Sequence, residues 1–218
     1  MSRPPLSRDR VVDAASRVAD ASGLAGVSMR SVGRELEVEA MSLYHHVAGK
    51  EALLDGLADW VFARITLPRS GMGWRAEMEE RARSARAVLA AHPWGLGLLE
   101  SRRSPGPATL GHHDAVLGCL RSAGFSVALA AHAFSVLDAY TYGFVLTEVN
   151  LPFEPGESAE DFVADLGAAL ADHPHLAEMV AEQVVGQDYA YGDEFDFGLA
   201  LVLDGLEQRV PQEIRGRS

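Results

Sequence analysis

The sequence predicts an all-α protein, and three observations carry that reading. Apolar residues recur at three- and four-residue spacing along most of the chain, no stretch alternates apolar and polar side chains as a half-buried strand does, and Gly, Pro and Ser punctuate the periodic segments. A length of 218 residues with 48% hydrophobic and 23% charged content is enough for a sizeable core. Charge divides the chain: residues 1–50 hold seven basic and six acidic side chains, and the remainder carries the excess acid that brings the formal net charge to −12. Two domains are expected, 1–66 and 67–218, with no internal repeat.

The first domain reads as four helices. Ser7 can accept from the unpaired amides of a helix that buries Val11, Val12, Ala15, Val18 and Ala19, and Gly23 is expected to close it. Ser28 is a second N-cap, ahead of Met29, Val32, Gly33 and Leu36 on one face. Glu37, Val38 and Glu39 interrupt the pattern, a short helix over 40–46 follows, and Gly49 breaks it. Lys50, the only lysine in the chain, then starts an amphipathic helix through Leu53, Leu54, Leu57, Val61 and Ile65. Two short helices joined by a tight turn have the plan of a helix-turn-helix.

Beyond Ile65, Pro68, Gly71 and Gly73 mark a hinge or loop. A helix is expected over 74–91, stopped by His92 and Pro93, and the run RRSPGPATL that begins at Arg102 is a loop. Further helices are expected over 108–122, ended by Gly124, and over 126–150, capped by Ser126. LPFEPGES is a loop, and helices over 158–172, 174–185 and 191–210 complete the chain. Segment 126–149 approaches membrane-spanning length, but His132, Asp138 and Glu148 would be costly in hydrocarbon, so a buried or subunit-facing helix is expected and no membrane partner.

Several function classes are excluded at this level. No apolar run follows the arginines of MSRPPLSRDR, and the lone Cys119 rules out an internal disulfide; both fit a reducing cytoplasm. His112, His113 and Asp114, or the DHPH run at 172–175, lack the spacing of a structural zinc site, so neither metal nor cofactor is expected. There is no G-x-S-x-G elbow, no glycine-rich phosphate cradle after a strand, and Cys119 lies on an apolar helix face, so the chain is not expected to be an enzyme. So acidic a chain repels DNA as a whole, and any DNA-binding surface belongs in the nearly neutral first fifty residues.

Within those residues, VEAMSLYHHVAGK places Tyr44, His45, His46 and Lys50 around one short helix. Leu43 and Val47 are four apart and should anchor it against Val32 and Leu36; at about 100° per residue Met41 and His45 then point away, with Ser42 and Tyr44 on the flanks. Hydroxyl and imidazole groups can bond base edges or phosphates, and Met can touch a thymine methyl. Lys50 adds its charge to a helix N-terminus whose amides already favour a phosphate. Short helix pairs with an exposed aromatic also occur in bundles that bind no DNA, so the pattern alone leaves groove reading open.

The run SMRSVGRELEVEAMSLYHHVAGKEALLDGL resembles the DNA-binding domain of the TetR family of bacterial repressors, whose pattern is Leu-Tyr-x-His followed by Val or Phe and then a Lys that starts the fourth helix. Leu43, Tyr44, His46, Val47 and Lys50 match it without a gap. The resemblance implies that Tyr44, Lys50 and Ser28 hold phosphates and that Arg30 matches a residue that reaches a guanine in some members. Ala40, Met41, Ser42 and His45 match positions that vary between members and read bases. Tetracycline-responsive members carry Gln and Pro where this chain has Ala40 and Met41, which implies a different operator. His46, about 60° from Leu43, either contacts phosphate or lies half-buried against the backbone.

GFSVALAAHAFSVLDAYTYGFVL resembles the matching helix of the tetracycline-repressor type of C-terminal domain, with Gly124, Phe125, Ser126, Ser135, Thr141 and Gly143 at the same spacing. The departures count for more. Where tetracycline-binding members carry a metal-ligating histidine this chain has Glu100; a second pocket histidine becomes Ala139, and the glutamate near the metal becomes Thr147. Tetracycline with magnesium is therefore not the expected effector. Trp94, Arg103, His113, Phe134, Leu137, Asp138 and Thr141 are candidate pocket residues, since they combine apolar walls with a few polar groups. Each has a plainer role: Trp94 and Phe134 in the core, Arg103 in a solvated loop, Asp138 as an arginine's partner. Helices 126–150 and 194–210 are rich in small or apolar residues and can pair with their two-fold mates. The expectation is a homodimeric repressor in the cytoplasm that reads a pseudo-palindromic double-stranded DNA operator and is released by an unidentified small-molecule effector. The alternative is a small-molecule binding or carrier protein that has lost DNA binding.

Overall fold

The computed structural model describes residues 5–69, 73–99, 101–152 and 158–210. Gly71, Glu100 and residues 153–157 of the LPFEPGES loop lie outside them. Among the described residues there are ten α-helices and no strand, so the chain is all-α.

The head is built from α1 (Arg8–Gly26), α2 (Met29–Leu36), α3 (Ala40–Leu43) and α4 (Lys50–Phe62). Ser7 caps α1 by accepting from the Arg10 amide. Gly23 leaves the helical conformation, at φ 63° and ψ 178°, and so closes the long helix as expected; a short helical turn to Gly26 follows it. α3 is shorter than its apolar spacing suggests, yet bonds from the His46 and Val47 amides to the Leu43 carbonyl, both 2.9 Å, carry a tight turn on to Val47. Val11, Val12, Ala15, Val32, Leu36, Leu43, Val47, Leu53, Leu57 and Val61 pack as one buried core.

That core does not end at the expected domain boundary. Ala85 and Leu89 of α5 (Trp74–Ala91), Trp94 of the 3-10 turn that follows it, Leu98 just after that turn, and Val145 join the same cluster, so the head rests directly on the helical domain. The second core lies among α5, α6 (Pro107–Ser122), α7 (Val127–Glu148) and α10 (Glu194–Glu207), where Met78, Ala82, Val116, Leu120, Phe125, Ala133, Leu137, Phe195, Leu199 and Leu203 are buried. Helical periodicity decides which residues these are: on α10, Phe195, Leu199, Leu203 and Leu206 turn inward while Phe197 and Leu201 face out. α8 (Ala159–Leu166) and α9 (Pro174–Gln183) connect α7 to α10, with a 3-10 turn after α8 in place of one continuous helix. No helix among the described residues is long and apolar enough to cross a membrane.

Candidate nucleic-acid interface and its link to the helical domain

The geometry of the helix-turn-helix follows from three local devices. Ser28 and Ser31 cap α2 reciprocally: Ser28 Oγ accepts from the Ser31 amide at 3.1 Å, and Ser31 Oγ accepts from the Ser28 amide at 2.9 Å. The helix ends in a Schellman turn with Glu37 at φ 54°, its amide bonded to the Arg34 carbonyl and the Val38 amide to the Gly33 carbonyl. A Cβ on Gly33 would lie 2.9 Å from the Val38 carbonyl oxygen and 3.3 Å from Ala40 Cα, so α3 can cross α2 this closely only over a glycine.

The same turn decides what α3 shows to solvent. Leu43 and Val47 are buried, Met41 is 73% exposed and Tyr44 49%. His45 is exposed beside them, while Ala40, Ser42 and His46 are half-buried. Lys50 is exposed on the first residue of α4, and Arg30 is exposed on the first turn of α2. Ser28 is partly buried, and its hydroxyl is already engaged in the cap.

α4 is the head's link to the rest of the chain, and its carboxylates make the link. Arg102 donates from Nε to Asp55 Oδ1 at 2.6 Å and from Nη2 to Glu51 Oε2 at 2.8 Å. One turn further, Asp59 Oδ1 accepts from the Thr109 amide at 2.8 Å and from its hydroxyl at 3.1 Å. Thr109 is in the first turn of α6, so a carboxylate of the head satisfies an amide of the second domain where the helix dipole favours negative charge. Gly106 makes this possible, because any Cβ there would fall inside the Asp59 carboxylate. On the other side of the head, Asp20 Oδ1 accepts from Trp94 Nε1 at 2.6 Å and contacts His92 Nδ1 at 2.7 Å.

The candidate pocket residues divide. Leu137, Asp138 and Thr141 are buried on α7; Phe134 lies half-buried one turn earlier, with its ring centroid 5.0 Å from that of His113 on α6. Trp94 lies apart from them, in the head core against Asp20, and Arg103 is exposed in its loop. Ala139 and Thr147 are on the exposed side of α7, and Glu100 is outside the described residues. Among the described residues no group of three His, Cys, Asp or Glu is placed to hold a metal.

Sequence reasoning passed over Arg81. It is 1% exposed, forms an ion pair with Asp138, and donates from Nε to His112 Nε2 at 3.0 Å; the Tyr142 hydroxyl donates to Asp138 Oδ2 at 3.2 Å. The signal was present: Met78, Arg81, Ala82, Ala85 and Leu89 share the buried face of α5, which sets Arg81 apart from its arginine neighbours. Burial, aided by the Arg81 charge, pushes His112 down to about 3, so its imidazole is neutral. Because Nε2 accepts, Nδ1 carries the proton, and among the described residues that buried N–H has no partner. Next to this cluster a partly enclosed cleft of about 150 Å³ lies between α4 and α6, lined in part by Asp55, Phe62, Leu98, Arg102, Leu110 and His113.

A helix-turn-helix head with an exposed Met, Tyr and His face, joined through one helix to a larger helical domain with a buried polar cluster, defines a DNA-binding regulator with a sensor domain. The comparisons with known proteins narrow the class. Residues 11–57 match the family described as bacterial regulatory proteins, tetR family, and residues 67–210 match the tetracyclin repressor-like C-terminal domain. The chain is 37% identical to the HTH-type transcriptional repressor DrrR1 of Streptomyces coeruleorubidus, over 99% of this chain and 82% of that one. It is 30% identical to the class A tetracycline repressor protein from transposon 1721 of Escherichia coli, over 94% of this chain and 92% of that one. The structure of the Streptomyces coelicolor TetR family protein ActR in complex with actinorhodin superposes with a TM-score of 0.78 at 26% identity, covering 97% of this chain and all of that one. The chain belongs to the TetR family of bacterial regulatory proteins and is a ligand-responsive, DNA-binding transcriptional repressor.

Proposed function

We propose that the protein acts in the cytoplasm as a homodimer on a pseudo-palindromic operator and that a small organic effector releases it. The observation that carries this reading is the exposure of Met41, Tyr44 and His45 on a helix whose Leu43 and Val47 are locked in the core. In this reading Ala40, Met41, Ser42 and His45 meet base edges, and Arg30 reaches a guanine from the start of α2. Tyr44, His46 and Lys50 hold phosphates, and Ser28 shapes the α2 terminus that receives another.

Dimerisation is supported by an apolar face that no other described residues cover. Ala131, Val136, Ala139, Gly143 and Leu146 line the exposed side of α7, and Phe197 and Leu201, 67% and 59% exposed, continue it on α10. A monomer rarely leaves so continuous a patch in water, and a two-fold mate would cover it with the same patch. Two heads would then face DNA about one helical turn apart. ActR is known with a bound organic molecule, which supports an effector of that general kind here. Release follows if the effector favours an arrangement in which the Arg102 and Asp59 ties no longer hold α4, and with it Lys50, in groove register.

Selection from a pool of random duplexes tests the reading. An enriched inverted repeat, bound by two chains, is the expected result. No enrichment, combined with tight binding of small organic molecules, would favour a carrier protein instead, a reading that the acid excess of the chain supports.

A further inference from the structure

The cleft between α4 and α6 differs from the buried polar cluster behind it in being open to solvent. Its walls are mainly apolar, with Ala58, Phe62, Leu98, Pro105 and Leu110, and its volume of about 150 Å³ suits a single aromatic ring. Its charged lining is Asp55 and Arg102, and Arg102 is shared with Glu51. Two carboxylates, Asp55 and Glu51, thus face one guanidinium.

We propose that this cleft takes a small aromatic amine, whose cation replaces the Arg102 guanidinium on Asp55 and Glu51. The inference deepens, and rests on, the reading of the chain as effector-responsive. The sign of the ligand charge follows from what each exchange leaves behind. An anion that captured Arg102 would strand Glu51 and Asp55, four residues apart on one helix, as uncompensated like charges. A cation keeps both carboxylates compensated and gives up only Arg102, which can turn to solvent. The ring of such a ligand would lie against the apolar wall beside Phe62. Exchange would also cut the tie between the loop that carries Arg102 and the helix that begins at Lys50.

The test uses the full chain and three isosteric probes, benzylamine, benzyl alcohol and benzoate, titrated by calorimetry and ligand-observed NMR at neutral pH. Benzylamine is expected to bind in the millimolar range, about fivefold more tightly than benzoate, the margin of a partly exposed ion pair. Asp55→Asn should erase that preference. Leu110→Trp, at a half-exposed position that leaves the ion pairs intact, should fill the cleft and abolish binding of every probe. Benzoate binding as tightly as benzylamine, a preference that survives Asp55→Asn, or no binding of any probe at millimolar concentration would overturn the proposal. DNA binding of the same protein is measured without probe; its absence counts against the repressor reading and leaves the charge preference to be judged on its own.

Discussion

Acidification should destabilise this protein through one histidine, by an amount the structure defines. His112 is fully buried against Arg81 and is held down to about 3, whereas an imidazole in the unfolded chain titrates near 6.5. Below that ordinary value the unfolded chain takes up a proton that the folded chain refuses. The stability from this site is therefore complete above about pH 6.5 and is lost progressively as pH falls from there toward about 3. At about pH 5 the interval covered is roughly 1.5 units, and at about 1.4 kcal/mol per unit the loss is about 2 kcal/mol. Urea unfolding at neutral pH and at about pH 5 reads it directly, with His112→Gln as the reference because glutamine offers Arg81 Nε an acceptor that does not titrate. Wild type should lose about 2 kcal/mol more than the variant across that interval. Equal losses would mean that His112 protonates within the fold and that the Arg81 contact does not hold it neutral.

Other consequences follow from the same contacts. Arg81→Met leaves the Asp138 carboxylate buried with only the Tyr142 hydroxyl and should cost about 3–5 kcal/mol in urea unfolding, while Arg81→Met combined with Asp138→Leu should cost far less; equal costs would contradict a charge-pair origin. Phe197→Glu places a charge in the exposed apolar face and should shift sedimentation from dimer to monomer with helix content retained; an unchanged assembly would place the dimer contact elsewhere. Lys50→Ala should lower the slope of log affinity against log salt by about 1 for every DNA sequence, whereas Met41→Ala or His45→Ala should alter base preference; Met41 and His45 variants with unchanged affinity and preference would remove this face from the groove.

The parts of the fold that were legible in the sequence are those set by contacts within one helix. Leu43 and Val47 are four residues apart, so their burial and the outward direction of Met41 and His45 follow from helical geometry, and the structure places them so. The Ser7, Ser28 and Ser126 caps were equally local. What escaped depends on residues far apart in the chain. Asp59 meets Thr109 across 50 positions and Arg81 meets Asp138 across 57, and no spacing rule within either helix announces them. Trp94 has the composition of a pocket wall, but its indole N–H finds Asp20, 74 residues away, and is drawn into the head core. Gly23 reads as a terminator because glycine takes positive φ freely, and it breaks the helix there; the extra turn to Gly26 beyond it was not legible.

The most direct test of the central claim is a fluorescence-anisotropy titration of the full chain against the duplex upstream of its own gene and a scrambled duplex of equal length, across a salt series. Two chains per site, strong preference for the native duplex and a steep fall in affinity with salt are expected, the last because phosphate contacts release counterions. Equal binding to both duplexes, or affinity indifferent to salt, would contradict a DNA-reading α3 surface.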